Sequence, residues 1–170
     1  MQKRISVFVD GANAFYAQQS CKFLINWEKM LEYFSKIGDL YETFYYIGEH
    51  IPPQARTEKY LKLLRHLNFI VRTKRIKTIR QDDGTIKHKA NLDIEIAMDM
   101  FNTISNYDIA VLFSGDGDFE RAIELVRARG KEIYIISSDE YIAHELRNAA
   151  GRNYINFTKM KEWKLREWKD

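Results

Sequence analysis

The sequence has 170 residues, enough for one domain with a substantial hydrophobic core. Hydrophobic residues make up 45% of the chain and aromatic residues 14%, a composition that excludes a disordered protein. The net charge of +3, from 27 basic and 24 acidic residues, does not by itself indicate a nucleic-acid partner. Cys21 is the only cysteine, which excludes an internal disulfide and a cysteine-based zinc site within one chain.

Apolar runs are short along the whole chain. None reaches the roughly 18 residues that a membrane-spanning helix needs, and the run near the N-terminus is too short for a signal peptide. A cytoplasmic protein is therefore expected.

The first half of the chain alternates β-branched runs with amphipathic segments, an order typical of α/β domains. Gly38 is placed to end one helix, Pro52-Pro53 to begin another, and Asp82-Asp83-Gly84 to turn a hairpin. In chain order the predicted elements are a strand at 5–9, helices at 12–19 and 27–37, a strand at 40–47, a helix at 52–66, a strand at 69–72 and an extended hairpin or loop at 74–89.

The second half continues this alternation. Asn91 is placed to cap a helix, and Gly130 to end one. The predicted elements are a helix at 92–104, a strand at 109–113, a helix at 118–129, a strand at 132–136, a helix at 140–149, a strand at 154–157 and a helix at 159–168. We therefore expect one domain over residues 1–158 and a C-terminal helical extension over 159–170, packed on the domain or at an interface.

Near-continuous apolar strands joined by helices predict an α/β fold with a mostly parallel sheet covered on both faces. In such sheets, ligands bind beyond the carboxyl ends of the strands, where the strand order reverses.

Two of the predicted strands end in acidic residues. The first runs directly into residues 10–13 (DGAN), and the strand at 109–113 runs into residues 114–118 (SGDGD). If these strands flank the reversal point, Asp10, Asp116 and Asp118 converge, and Mg²⁺ or Mn²⁺ would relieve the repulsion between their carboxylates. Each aspartate alone is equally compatible with an ordinary turn or helix cap.

The helix predicted at 92–104 offers a third acidic position. At about 100° per residue, Asp93 lies nearly opposite Glu95 on an apolar flank, where a polar side chain is costly unless it has a partner. Its place in the first turn is also favourable for an acid near the positive end of the helix dipole. Asp99 shares the face of Glu95 and is also consistent with a solvated residue.

Three segments together resemble one family: FVDGANAF, KHKANLDIEIAMDM and VLFSGDGDFERAIELVRARGKEIYIIS. They are similar to the NYN domain, specifically its LabA-like branch, over roughly residues 4 to 157. The resemblance implies the fold of the PIN-like superfamily, a three-layer α/β/α sandwich, whose characterised enzymes are metal-dependent ribonucleases. Where the family usually reads Lys-Gly-Val-Asp before the middle helix, this chain reads Lys89-Ala90-Asn91-Leu92-Asp93.

The resemblance also implies roles for individual residues. Asp10, Asp93, Asp116 and Asp118 would bind the metal and form the catalytic group, with Asn13, Ser114 and Asp99 in support. The implied reaction is the hydrolysis of a phosphodiester, most simply in RNA, by water activated at bound Mg²⁺ or Mn²⁺. Some family members have no demonstrated nuclease activity, so the alternative is a non-catalytic RNA- or protein-binding regulatory module of the same fold.

Basic residues are concentrated between residues 54 and 89, with eleven basic and three acidic side chains. The later part of this segment could follow the backbone of single-stranded RNA, or could be a solvated face. The predicted nucleic-acid-binding residues are Arg72, Lys74, Arg75, Lys77, Arg80, Lys87 and Lys89. Tyr45 and Tyr46 could stack on bases or pack in the core.

Two further alternatives concern the terminal segment and the reaction class. Trp163 and Trp168 predict either a homodimer interface or packing against the sheet. A haloacid-dehalogenase-like phosphatase needs a second aspartate at position 12, where this chain has alanine, and a Toprim domain needs a glutamate where Asp10 stands.

Overall fold

The computed structural model describes residues 2–52, 54–80 and 84–167. The helices within these ranges are α1 (Gly11–Ser20), α2 (Trp27–Ile37), α3 (Ala55–His66), α4 (Asp93–Asn102), α5 (Glu120–Ala128) and α6 (His144–Ala150). The strands are β1 (Arg4–Asp10), β2 (Phe23–Ile25), β3 (Asp39–Glu49), β4 (Ile70–Arg75), β5 (Lys77–Arg80), β6 (Ile86–Lys89), β7 (Ile109–Phe113), β8 (Glu132–Ser137), β9 (Tyr154–Asn156) and β10 (Lys164–Glu167).

A parallel sheet forms the centre of the molecule. Within the described ranges it has six strands in the order β4-β3-β1-β7-β8-β9, and each neighbouring pair runs parallel. Two antiparallel pairs, β2 with β10 and β5 with β6, lie outside this sheet. The α/β class with a mostly parallel sheet, predicted from the sequence, is confirmed.

Helices cover both faces of the sheet. Because successive residues of a strand point to opposite faces, the apolar run of β1 supplies two cores. Val7 and Val9 pack with residues of α1, α2 and α3, whereas Phe8 packs with residues of α4, α5 and α6. The molecule is therefore a three-layer α/β/α sandwich, as the family resemblance implied. Among the described residues, no helix combines the length and apolar character needed to cross a membrane.

The predicted hairpin after β4 is present. β5 and β6 pair antiparallel from Lys77 opposite Lys89 to Arg80 opposite Ile86. The predicted turn residues Asp82 and Asp83 lie outside the described residues, as does Pro53, which was predicted to begin a helix. The structure begins that helix, α3, at Ala55.

The prediction of a helix at 159–168 is wrong. Two short 3₁₀ turns at 157–159 and 161–163 lead instead into β10, which pairs antiparallel with β2. Trp163 is fully buried, with its ring 5.3 Å from that of Tyr33, and its carbonyl oxygen accepts a hydrogen bond of 2.7 Å from the Asn26 amide. These long-range contacts outweigh helix formation, which is weak in so short a segment. Trp168 lies outside the described residues, and a homodimer stays a prediction.

Besides α3, two predicted helices begin later than expected. Asp116 caps a 3₁₀ turn at Gly117–Phe119, so that α5 starts at Glu120 instead of residue 118. The residues after β8 do not wind into a helix before His144, because the Ala143 amide donates a 2.8 Å hydrogen bond to the Gly115 carbonyl. This bond holds the segment before α6 against the loop after β7.

Candidate metal centre

The acidic motifs lie at the point where the strand order reverses. From β1 the chain moves outward to β3 and β4, then returns to the other side of β1 as β7 and continues to β8 and β9. Val9 of β1 pairs with Phe113 of β7, so Asp10 and Ser114 leave the sheet side by side. The expectation that these two strands flank the reversal point is confirmed.

Asp10 is the most buried acid of this edge, with 8% of its surface exposed. One carboxylate oxygen accepts a hydrogen bond from the Asn13 amide at 3.1 Å, and the other accepts one from the Ser114 hydroxyl at 3.1 Å. Burial raises the pKa of Asp10 to about 6, and the neighbouring carboxylates of Asp93 and Asp116 act in the same direction, whereas the two hydrogen bonds oppose them. A full negative charge on Asp10 is therefore destabilised while no cation is bound.

Three other aspartates come together beside Asp10. Asp93, Asp116 and Asp118 each offer a carboxylate oxygen, and these oxygens lie within 4.8 Å of one another. Asp10 is close enough to feel the charge of Asp93 and Asp116 but does not belong to this group. The structure thus brings together all four aspartates predicted as metal ligands, with Asp10 set deeper than the other three.

Local hydrogen bonds place each member of the group. The Asn91 side chain accepts a 2.8 Å hydrogen bond from the Asp93 backbone amide, although the N-cap residue of α4 is Leu92 and not Asn91 as predicted. The Ser114 hydroxyl accepts from the Asp116 amide at 3.2 Å, and an Asp116 carboxylate oxygen accepts from the Asp118 amide at 3.0 Å. Asp116 therefore serves both as the cap of its turn and as a member of the carboxylate group.

Asn13 connects the two acidic motifs. The backbone amide of Asn13 donates a hydrogen bond to the Asp10 carboxylate, and its side-chain oxygen accepts a 2.8 Å hydrogen bond from the Gly115 backbone amide. Tight backbone packing fixes the same region, because a Cβ at Gly11 would lie 2.3 Å from the Tyr46 carbonyl oxygen. The supporting positions predicted for Asn13 and Ser114 agree with the hydrogen bonds that these residues make.

Asp99 lies apart from the carboxylate group. One of its oxygens accepts hydrogen bonds from the Tyr46 hydroxyl at 3.0 Å and from Nε of Arg72 at 3.2 Å. Its side chain is 20% exposed, so these two partners compensate a partly buried charge. Asp99 therefore holds α4 against β3 and β4, and its support of the metal site stays a prediction.

The predicted nucleic-acid-binding residues fall into three sets. Arg72 pairs with Asp99, and Lys74 pairs with Glu95 at 2.6 Å, so these two basic residues bridge β4 to α4. Exposed side chains on β4 and β5 form the second set, which is Arg75, Lys77 and Arg80. Lys87 and Lys89 lie on β6, and their side chains are outside the described part of the protein.

Tyr45 and Tyr46 of β3 pack in the core and do not offer their rings to solvent. Tyr45 is 2% exposed and Tyr46 1%. Of the two alternatives for these residues, packing is therefore confirmed. The buried Trp27 indole donates to the Tyr60 hydroxyl at 2.8 Å, and that hydroxyl donates to Tyr45 at 2.9 Å.

Two residues near the centre were not found by the sequence reasoning. The carbonyl oxygen of Tyr141 would lie 2.5 Å from a Cβ at Gly115, and a carboxylate oxygen of Glu145 would lie 3.5 Å from one at Gly117. Tyr141 lies on the segment between β8 and α6, and Glu145 lies in the first turn of α6. Their proximity depends on the segment folding back over the loop after β7, which no local pattern predicts.

The fold and the site together define a class of protein: an α/β sandwich with clustered aspartates at the reversal point of a parallel sheet. The sequence matches the NYN domain family over residues 4–158. The chain belongs to this family, which lies in a nuclease-like superfamily, and it is LabA-like. NYN domains are generally nucleases, and family members bind nucleic acid.

Two individual proteins are similar to this chain, one in sequence and one in fold. The chain is 42% identical over 164 residues to "Low amplitude and bright protein LabA" of Synechococcus elongatus, an alignment that covers 94% of this chain and 87% of that protein. A solved structure of a protein of unknown function from Vibrio parahaemolyticus shares the fold, with a TM-score of 0.77 and 20% identity, over 96% of this chain and 97% of that one.

Proposed function

We propose that the protein is a metal-dependent nuclease that hydrolyses phosphodiesters in RNA. The observation that carries the proposal is the meeting of Asp93, Asp116 and Asp118 within 4.8 Å beside the buried Asp10. These residues come from three separate parts of the sequence, and only the fold brings them together. Their position at the reversal point of a parallel sheet is where such folds bind ligands.

The residues fit a hard divalent cation. All the donors are carboxylate oxygens, which Mg²⁺ and Mn²⁺ prefer, and no sulfur or imidazole belongs to the group. Two oxygens bound to one Mg²⁺ at about 2.1 Å can be up to about 4.2 Å apart, so carboxylates within 4.8 Å need only a small inward movement. Burial, with smaller contributions from Asp93 and Asp116, raises the pKa of Asp10, and a bound cation would favour its charged form.

The residues of the chain supply position and charge. When bound, the cation would polarise the phosphodiester and lower the pKa of a water molecule that attacks it. Asp93, Asp116 and Asp118 would hold the cation, and the more deeply buried Asp10 would add a further negative charge beside it. Asn13 would keep Asp10 and the Gly115 backbone in a fixed relation, because it bonds to both.

Single-stranded RNA is the proposed substrate, in keeping with the nucleic-acid binding of the family. The exposed basic residues Arg75, Lys77 and Arg80 lie on the segment that leads from β4 towards α4, which carries Asp93. Such residues can follow a phosphate backbone, and they predict binding that weakens as salt is raised.

A second candidate is a regulatory module that binds RNA or protein without cutting it. The observation that favours it is the relative from Synechococcus elongatus, whose name describes low amplitude and brightness and no reaction. The two candidates share the fold and the basic segment, and they differ in whether the carboxylate group acts on a bound strand.

Cleavage of a labelled single-stranded RNA with Mn²⁺ tests the proposal. Asp116→Asn and Asp93→Asn should each lower the rate by at least about 100-fold, since loss even of outer-shell partners of a metal can cost that much. Asp39→Asn is the matched control, because Asp39 is exposed at the start of β3, at the opposite edge of the sheet.

Each outcome separates the candidates. Cleavage by the wild type and by Asp39→Asn, with loss in both site variants and unchanged thermal unfolding profiles, supports the nuclease. Cleavage that survives Asp116→Asn would show that the activity lies elsewhere or comes from a contaminant. Binding of RNA by the wild type without cleavage at any Mn²⁺ or Mg²⁺ concentration would favour the regulatory module.

A further inference from the structure

An exposed aromatic pair lies on α1, directly after Asp10. Phe15 is 43% exposed and Tyr16 55%, and their rings meet edge to face with centroids 5.3 Å apart. Single exposed aromatics are common on protein surfaces, whereas two in contact next to a candidate catalytic centre form a continuous apolar surface. The neighbouring positions Ala14 and Ala17 face the core, so the geometry of α1 directs this pair outward.

Helix geometry places Tyr16 on the same side of α1 as Asn13. Tyr16 follows Asn13 by three residues, so the two side chains are neighbours on the surface of α1, with Cβ atoms about 5–6 Å apart. Helical side chains also lean towards the N-terminus of their helix, which here is capped by Asp10. Tyr16 therefore leans towards the edge of the sheet that carries the candidate metal centre.

Tyr141 extends this surface to the carboxylates. Its backbone packs on Gly115, and the segment around it is bonded to the loop after β7 through Ala143. Burial raises the pKa of the Tyr141 phenol, and the next contributions come from Tyr16 and then from Asp10 and Asp116. The Tyr141 phenol is thus close enough to interact both with Tyr16 and with the acidic centre.

We propose that Tyr16, supported by Phe15 and continued by Tyr141, stacks on a base of single-stranded nucleic acid next to the phosphate held at the carboxylates. This inference rests on the proposed function, because it takes the acidic centre as the place where the phosphate binds. Aromatic rings stack on every type of base, so the surface favours unpaired strands without strong sequence preference. A base inside a duplex is stacked on its neighbours and cannot use this surface.

The placement of the basic residues is consistent with a single-stranded nucleic acid at this surface. The basic residues Arg75, Lys77 and Arg80 lie on β4 and β5, whereas α1 begins at the end of β1 and carries the aromatic pair. A strand could therefore be contacted through its phosphates by one element and through a base by another. This combination of cationic and stacking contacts is the usual design of single-strand binding proteins.

The test measures binding of a fluorescent single-stranded RNA of about 12 nucleotides by anisotropy, a length within the usual range of such sites. All proteins carry Asp116→Asn, so that the RNA stays intact during the measurement. Tyr16→Ala should weaken binding about 5- to 150-fold, the range that loss of one stacked base produces. Tyr16→Phe should bind within about twofold of its parent, since the ring is kept.

Tyr41→Ala is the matched control. Tyr41 is 53% exposed, nearly the same as Tyr16, but it lies near the start of β3, at the opposite edge of the sheet. An RNA with one abasic nucleotide at the stacked position should lose the same affinity, and Tyr16→Ala should add little to that loss. Such non-additivity identifies a direct contact between the ring and a base.

The outcomes decide the inference separately from the nuclease assignment. A selective loss in Tyr16→Ala supports stacking, whether or not the wild type cuts RNA. Equal affinities of Tyr16→Ala and Tyr41→Ala overturn it, even if the wild type is an active nuclease. Absence of RNA binding by any of the proteins also overturns it and would leave the aromatic pair as a contact for another kind of partner.

Discussion

Replacing Asp10 by asparagine is expected to stabilise the metal-free protein. The substitution keeps the size of the side chain and the oxygen that accepts the hydrogen bond from the Asn13 backbone amide. The new amide group would face the Ser114 hydroxyl, which can turn and accept instead of donating. The main change is therefore the loss of a buried charge that desolvation and two neighbouring carboxylates make unfavourable.

The raised pKa sets the size of this effect. The pKa of Asp10 rises from 3.8 to about 6 on folding, and about 1.4 kcal/mol for each pH unit gives roughly 3 kcal/mol at neutral pH. In a protein of this size that corresponds to an increase in Tm of up to about 6–12 °C. The value is an upper bound, since water entry and small movements of the other acids would reduce the cost.

The pH dependence gives an independent check with a defined sign. Between pH 3.8 and about 6 the folded protein holds a proton on Asp10 that the unfolded chain has released, so folding becomes less favourable as the pH rises. The wild type should therefore lose stability relative to Asp10→Asn across this interval, and the difference should be constant above it. The measurement is urea denaturation in EDTA at several pH values.

One result would refute this reasoning. If Asp10→Asn is no more stable than the wild type in EDTA at pH 7.5, then the carboxylate is not strained in the folded state. Addition of Mn²⁺ should reverse the order, because a bound cation stabilises the charged wild type by mass action. Asp39→Asn, an exposed acid at the other edge of the sheet, should show neither effect.

Three further predictions concern stability and are measured by urea denaturation. Gly11→Ala should cost about 1–3 kcal/mol, because its Cβ would lie 2.3 Å from the Tyr46 carbonyl oxygen and the backbone must move. Tyr46→Phe should cost about 1.5–3 kcal/mol through loss of the hydrogen bond to the Asp99 carboxylate. Trp163→Ala should cost about 3–5 kcal/mol, because Trp163 is fully buried although only seven residues of the sequence follow it.

Each of these predictions has its own contrary outcome. Gly117→Ala is the control for Gly11→Ala, since its Cβ would approach Ala143 only to 3.2 Å, and equal losses would argue against the close contact at Gly11. An unchanged stability of Tyr46→Phe would mean that Asp99 is already satisfied by Arg72. A Trp163→Ala protein as stable as the wild type would show that the terminal segment is not part of the folded core.

The position of the acidic centre could be predicted because it follows from local patterns. Apolar strands that end in Asp10 and in residues 114–118 must leave a parallel sheet at the same edge, and a register of Val9 with Phe113 then brings them together. Asp93 was found because an acid on an apolar helix flank requires a partner. In each case the pattern of one helix or of two neighbouring strands was enough to predict the position.

Other features depend on contacts between distant segments, and no short pattern reports them. The pairing of β2 with β10 joins segments of three and four residues that lie far apart in the sequence, and the helical appearance of the terminal residues hid it. The bridges from Arg72 to Asp99 and from Lys74 to Glu95 are likewise visible only once β4 lies against α4. In the sequence these basic residues form one run. In the fold, Arg72 and Lys74 pair with acids of α4, whereas Arg75, Lys77 and Arg80 are exposed.

The position of β4 at the border of the large sheet has a consequence for the protein in concentrated solution. A border strand has unpaired backbone groups along one side, which another chain can use to add a strand and begin aggregation. β4 carries Arg72, Lys74 and Arg75 within six residues, and charged side chains on a border strand oppose such an addition. Neutral replacements here would therefore be expected to lower solubility, independently of any effect on nucleic acid.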